Sequence, residues 1–168
     1  MRSGAHRWLR LRRPGYELHF DRSSICRRIW RDPTFGTQEE ALLASLVQPG
    51  DRAVDIGANV GTTTLALAGA VGPTGSVVAV EAHPVTATRL RRNVELNGAR
   101  QVTVRQCAVA SADVTEVGVS DEESDDLNHV VATGGVRVPA VTLASLLDEP
   151  TALVKIDVEG LEYDVLAS

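Results

Sequence analysis

Lysine is almost absent: of the 17 Lys and Arg residues in this 168-residue chain, Lys155 is the only lysine. Nine arginines, Arg2, Arg7, Arg10, Arg12, Arg13, Arg22, Arg27, Arg28 and Arg31, precede residue 33, so at a net charge of -5 the remainder is distinctly acidic. A basic leader can attract nucleic acid or an anionic membrane through counterion release. Here it lacks a stacking platform for bases, because Trp8 and Tyr16 stand alone. No nucleic-acid partner is expected, and residues 1–36 read as a solvated basic extension with a short strand at Tyr16 to Phe20. Cysteine is scarce too: Cys26 and Cys107 match neither a disulfide framework nor a zinc-ligand spacing, so both are expected reduced and buried, and no metal site is assigned. No apolar run approaches the roughly 20 residues of a membrane span, and none of signal-peptide length follows the early arginines. A cytoplasmic protein without a membrane span is the default expectation. No internal repeat is visible.

What is present is enough apolar residue, 43%, to bury one sizeable core. Thr37 to Val47 carries apolar residues at helical spacing and ends at Pro49-Gly50. Four apolar, β-branched runs follow at Ala53 to Ile56, Ser76 to Val80, Val102 to Cys107 and Leu153 to Ile156, separated by helical patterns at Thr62 to Ala70 and Pro84 to Leu96. Alternating strands and helices predict a parallel sheet covered on both faces. Val114 to Val119 and Val136 to Val141 are expected to pair as added strands, and the acidic run at 121–126 to form a solvated loop. Residues 37–168 are thus expected to be a single α/β domain.

The most informative segment is Asp55-Ile56-Gly57-Ala58-Asn59-Val60-Gly61, between a strand and a helix. Its glycines permit a tight turn and close approach of the backbone to a ligand. It is not the G-x-G-x-x-G of a dinucleotide site. Asp55 would repel a diphosphate but suits a ligand bearing a sulfonium and an amino group. Glu81, at the end of the next strand, stands where an acid accepts hydrogen bonds from a ribose, or else caps the following helix. Main-chain groups at Cys107 and Ala108 are candidates to meet an adenine ring, though a buried strand end would read alike. Lys155 in an apolar strand must be paired, with Asp157 or Asp55, unless it meets substrate. Asp157, Glu159 and Glu162 cluster at the same strand end as candidate general bases; His83 and His129 are weaker ones.

Together DIGANVG (55–61), Glu81 to Pro84, NVELNG (93–98) and KIDVEGLE (155–162) resemble the FkbM family of S-adenosylmethionine-dependent methyltransferases over roughly residues 37–168. The resemblance implies a Rossmann-like class I methyltransferase sheet, S-adenosyl-L-methionine as cofactor bound by Asp55, Gly57, Asn59, Gly61, Glu81, Cys107 and Ala108, and O-methylation of a hydroxyl on a small molecule, natural product or sugar. The family commonly has a shorter acid-proline turn than Glu81-Ala82-His83-Pro84. It also implies three further strands after the helix near Gly160, so the sheet is expected to be truncated after its fourth parallel strand, with self-association through the exposed apolar edge. Two alternatives stand beside this reading. One is a non-catalytic or incomplete cofactor-binding module; the other, a nicotinamide-dependent oxidoreductase, is disfavoured by Asn59 and Asp55.

Overall fold

The structure, a computed structural model, describes residues 9–21, 23–120, 130–131, 134–158 and 162–168. Trp8, the acidic run 121–126, His129 and Glu159 lie outside the described residues.

The chain opens with a hairpin of β1 (Arg10–Arg13) and β2 (Tyr16–His19), followed by α1 (Ser24–Arg31) and α2 (Thr37–Ser45). The central layer alternates β3 (Arg52–Ile56), α3 (Thr62–Val71), β4 (Ser76–Val80), α4 (Pro84–Leu96) and β5 (Val102–Arg105). A small second sheet is built from β6 (Ala108–Val109), β7 (Glu116–Val119), β8 (Val130–Val131) and β9 (Val136–Val141). After a 3-10 turn at Ala144–Leu146, β10 (Leu153–Ile156) returns to the main sheet and α5 (Glu162–Leu166) follows.

The main sheet is parallel throughout, in the order β10-β3-β4-β5. Alternation along each strand sends side chains to opposite layers. Ala53 and Val77 pack with Leu67, Ala68 and Val71 of α3, and Ala79 packs with Leu90 of α4. Val54, Ile56 and Val80 face the other way, against Leu143, Leu146 and Val165 of α5. The expected α/β Rossmann-like sheet with helices on both faces is therefore present. Each fully buried Val, Ile or Leu contributes about 1.5–3 kcal/mol, which is why the β-branched runs of the sequence locate the strands so well.

Several boundaries shift. β5 stops at Arg105, not Cys107, because Gln106 leaves the sheet and Cys107 turns into the core beside Val54 and Ile56. β7 and β9 pair antiparallel as expected, and β9 also takes β6 as a parallel neighbour. The hairpin and α1 are not a solvated appendage: Leu11, Tyr16, Leu18, Cys26 and Ile29 form one cluster with Leu65 of α3. Arg13 is wholly buried, ion-paired to Glu40 of α2, and donates to the carbonyls of Pro33 and Phe35 at 2.8 and 2.7 Å. The Tyr16 hydroxyl donates to the same Glu40 at 2.9 Å. Burial, which by itself would lower the Arg13 guanidinium's pKa, is outweighed by these two partners, which hold it above its ordinary value.

Candidate functional site

The sheet reverses direction of growth between β3 and β10. From β3 the chain steps outward through β4 to β5, then returns to the far side of β3. In open α/β sheets the loops diverge at such a switch point, leaving a crevice at the carboxyl ends of the strands. Here the two loops that diverge are Gly57 to Gly61 after β3 and the segment beginning at Asp157 after β10.

The Gly57–Gly61 loop is set by positive φ at three of its residues: Gly57 at 78°, Asn59 at 48° and Gly61 at 98°. A Cβ at Gly57 would lie 1.8 Å from the Asp157 carbonyl oxygen, and one at Gly61 2.6 Å from Leu90 Cδ1. Gly57 is thus required by neighbouring backbone, a reason for it that lies within the protein itself, whereas at Gly61 the near atom is the end of a side chain and the left-handed φ is the firmer constraint. Asn59 is the side chain in the left-handed region, tolerated there better than most residues. Its Oδ1 is buried and accepts no hydrogen bond among the described residues.

Asp55 is fully buried on β3. Its Oδ2 accepts from Thr64 Oγ1 of α3 at 2.6 Å, and its Oδ1 stands 3.2 Å from Lys155 Nζ. Lys155 also reaches Asp157 Oδ2 at 3.4 Å and donates to the Gly57 carbonyl at 3.0 Å. Burial alone would lower the ammonium's pKa, but Asp55 and Asp157 outweigh it and hold Lys155 above its ordinary value. The charge expected to present itself at the mouth through Asp55 is therefore balanced by Lys155, and Asp55 acts on the site by holding that lysine. Of the acids here, Asp157 is the exposed one, with 63% of its side-chain surface accessible.

Glu81, half-buried at the end of β4, accepts the N–H of Asn59 at 2.9 Å on one oxygen and that of His83 at 2.8 Å on the other. Burial raises its pKa; the two N–H bonds pull the other way without cancelling the effect, while Asp55 adds to it. Each carboxylate oxygen has a further lone pair for another donor. The alternative of a capping role is partly realised, since His83 is the residue flanking α4.

The loop and the β10 end form one wall of a cleft of about 360 Å³. That wall consists of Gly57 to Asn59, Thr62, Thr63, Lys155 and Asp157. Arg28 and Ile29 of α1, with Phe35, Glu39 and Glu40, make the opposite one. Asn59 is the link to Glu81, since it lines the cleft and gives Glu81 its N–H. The structure does not bring every candidate here. Cys107 and Ala108 are buried in two different apolar clusters, so any contact they make with a ligand is through main chain. Glu162 accepts the Val158 N–H at 3.3 Å and is not among the described residues lining the cleft. His83 is buried. Among the described residues no cluster of three His, Cys, Asp or Glu side chains could hold a metal ion, and no helix is long and apolar enough to cross a membrane.

Sequence reasoning missed Thr64, the α1 wall and Asn93. Asn93 sits buried on α4, donates to the Val60 carbonyl at 2.8 Å and accepts the His19 N–H at 2.8 Å, fastening the hairpin to the loop. The motif NVELNG carried that signal, but only its helix-ending Asn97-Gly98 was legible.

The methyltransferase FkbM domain model matches residues 55–168. Methyltransferase 1 of Beauveria bassiana (strain ARSEF 2860) is 30% identical over 140 residues, covering 67% of this chain and 56% of that protein, so the match spans little more than half of the relative's length. Among solved structures, M. jannaschii TYW2 in complex with AdoMet aligns at a TM-score of 0.47 and 20% identity, over 63% of this chain and 46% of that one. An SAM-dependent O-methyltransferase from Thermotoga maritima aligns at 0.39 and 31% identity, over 40% and 27%.

Proposed function

The chain belongs to the methyltransferase FkbM family, and from that premise we propose that it binds S-adenosyl-L-methionine at the β3–β10 crevice and serves methyl transfer to a hydroxyl of a small molecule, natural product or sugar. The observation that carries the reading is Glu81: a carboxylate fixed by two main-chain N–H groups, one from Asn59 of the glycine loop, at the strand end next to that loop. The fit to the cofactor rests on the chemistry of the donor set. Glu81 keeps lone pairs for two ribose hydroxyls, Asn59 Oδ1 is a buried acceptor awaiting a donor, and the cleft carries charge of both signs for a zwitterionic tail.

The bound cofactor supplies a methyl group already activated by its sulfonium. The chain's own residues position and exclude. Asp55 holds Lys155, Lys155 holds the Gly57 carbonyl and Asp157, and Gly57, Asn59 and Gly61 shape the loop. Main-chain groups of Cys107 and Ala108 are assigned to the adenine side. Alignment of reacting groups can lower the barrier by roughly 7–11 kcal/mol. Asp157 is assigned as the base that takes the acceptor's proton, because it is the exposed carboxylate at the β10 end of the crevice, with Glu159 and Glu162 following it in sequence. Such a base contributes about 10²–10⁴ in rate.

Calorimetry with S-adenosylmethionine, S-adenosylhomocysteine and NAD tests the cofactor assignment: binding of the first two is expected, and NAD binding without them would overturn it. Asp157→Asn should lower methyl transfer to hydroxyl-bearing acceptors about a hundredfold or more while changing cofactor affinity less than about threefold; equal losses in both would make Asp157 a cofactor ligand. A second reading, binding without turnover, is distinguished by cofactor affinity with no transfer to any acceptor.

A further inference from the structure

Helix α1 presents two different sides. Ile25, Arg28 and Ile29 line the cleft, whereas Arg27, Trp30 and Arg31 are exposed and are not among its lining residues. Spaced three and four residues apart, these last three share one face of the helix. Trp30 is 57% exposed, and its ring centre lies 5.5 Å from that of Phe20, just past β2, with the two planes tilted by 54°. Phe20 in turn lines a cavity of about 240 Å³ between the end of β2 and α4, together with His19, Asp21, Arg89, Arg92 and Asn93. Trp8 and Tyr16 offer no stacking platform along the sequence, but the fold builds one from Trp30 and Phe20.

The surroundings of this platform are basic although the chain as a whole carries a net charge of -5. Arg10, Arg12, Arg27, Arg31, Arg89 and Arg92 outnumber the carboxylates Glu17, Asp21, Asp32 and Glu95 of the same segments. Glu17 is bridged by Arg10 and Arg12 at 3.0 and 3.3 Å, Asp21 by Arg89 at 2.9 Å, and Asp32 accepts the N–H and hydroxyl of Thr34 at 2.9 and 2.6 Å. His19 registers the local sign: burial lowers its pKa first, Arg10 and Arg92 lower it further, and Asp21 opposes them without prevailing. A single strand of nucleic acid meets both features at once, with phosphates for guanidiniums and base faces for an exposed indole. A bilayer surface fits less well. Besides Trp30, Leu9 is the one large apolar side chain exposed on the hairpin and α1 among the described residues, and two such side chains among arginines are not the apolar face that an interfacial helix buries. We propose that the Arg27–Trp30–Arg31 face of α1, continued by Phe20 and the cavity beside α4, binds single-stranded nucleic acid, with a base stacked on Trp30 and phosphates on Arg27 and Arg31. This site is separate from the cofactor cleft and does not depend on the cofactor assignment.

Fluorescence anisotropy of the whole chain with a labelled oligoadenylate of about 12 nucleotides tests the inference, with an abasic strand of the same length and phosphatidylserine vesicles measured beside it. Trp30→Ala should weaken oligoadenylate binding about tenfold, the scale of one stacked base, and leave the abasic strand unchanged, with Trp30→Phe recovering part of the loss. Arg27→Ala combined with Arg31→Ala should weaken both strands. It should also reduce the slope of log affinity against log salt by about 1.4, two single-strand phosphate contacts at about 0.7 each. All three positions are exposed, and thermal melting of each variant checks that the fold holds. Oligoadenylate affinity unchanged by Trp30→Ala overturns the inference. So does equal weakening of both strands, which would mean that Trp30 acts through the fold, or the absence of strand binding by the unsubstituted chain. Vesicle binding that depends on Trp30 where strand binding does not would overturn it in favour of a membrane surface.

Discussion

Lys155 and Asp55 are register partners across the β10–β3 pair, their charged atoms 3.2 Å apart and their side chains 11% and 0% exposed. The pair joins the two strands whose ends diverge to form the crevice, and Thr64 of α3 completes Asp55 from the helical side. One lysine in the whole chain is thus spent on the switch point of the sheet.

Removing that lysine should be costly and recoverable. Breaking a buried pair by deleting one partner strands the other, at about 3–5 kcal/mol. Lys155→Met is expected to lower stability by about 3 kcal/mol, and Asp55→Asn added to it to restore part of the loss, as read by denaturant unfolding of the two single variants and the double variant. The pH dependence has a definite sign. Lys155 is raised above its ordinary 10.5 in the fold, so its contribution is fully present below about that pH and is lost as pH rises through the folded value. The Met variant should lack this alkaline component.

Glu81 gives a pH dependence of the same sign from the opposite cause, since the fold favours its neutral form. Its pKa is raised above the ordinary 4.5, chiefly by burial, so its ionisation costs the fold stability as pH climbs from 4.5 through the folded value. Ribose hydroxyls donate to the charged carboxylate, so cofactor binding should favour ionisation, release protons in that window, and tighten as pH rises through it. Calorimetry of S-adenosylhomocysteine binding in buffers of different ionisation enthalpy reads the released proton. Glu81→Gln should abolish the release and weaken binding about tenfold or more.

The parts of the fold legible in the sequence are those fixed by local pattern. Ser76–Val80, Pro84–Leu96 and Leu153–Ile156 have the expected bounds because β-branched runs and a leading proline are short-range signals. Arg13 was legible only as one arginine in a basic leader. Its burial depends on Glu40 and on two carbonyls twenty and twenty-two residues away, and no local rule connects them. Helix α1 is capped by Ser23, which accepts the Cys26 N–H, but its arginines read as solvated charge rather than as a helix face. At the site, Asp55, Asn59, Glu81, Lys155 and Asp157 converge as their strand-end positions imply. What the sequence could not convey is that Asp55 is already neutralised, or that the facing wall comes from upstream of the glycine motif.

The glycine loop separates two costs of adding a methyl group. At Gly57 a Cβ meets backbone at 1.8 Å with φ at 78°, whereas at Gly98, with φ at 58°, nothing lies within 4 Å. Gly98→Ala therefore carries only the left-handed backbone cost, about 1–2 kcal/mol. Gly57→Ala must also push β3 and β10 apart, and overpacking adds about 1–3 kcal/mol or more. Urea unfolding should rank the two in that order, and equal losses would mean that the loop relaxes away from Asp157 without strain.

Asn93 is the residue through which the N-terminal hairpin and the glycine loop share one side chain. Its amide is buried at 2% exposure, with the carbonyl end holding the His19 N–H and the amino end holding the Val60 carbonyl. Four residues on, Asn97 repeats the arrangement with the Glu17 main chain, accepting at 2.9 Å and donating at 2.7 Å. One helical turn separates the two, so both amides fall on the face of α4 that β2 covers. They differ in what lies beyond: Asn93 alone reaches the loop. Asn93→Ala leaves two main-chain groups without their partner, about 1–3 kcal/mol each if no water replaces it. Asn97→Ala should cost stability on the hairpin side only. Amide hydrogen exchange resolves the difference, with faster exchange expected at His19 and in the Gly57–Gly61 loop for the Asn93 variant, and at Glu17 alone for the Asn97 variant. Cofactor affinity should follow the loop, falling in the first variant and holding in the second. Loss of affinity in both would mean that the hairpin acts on the cleft as a body, through α1 rather than through Val60.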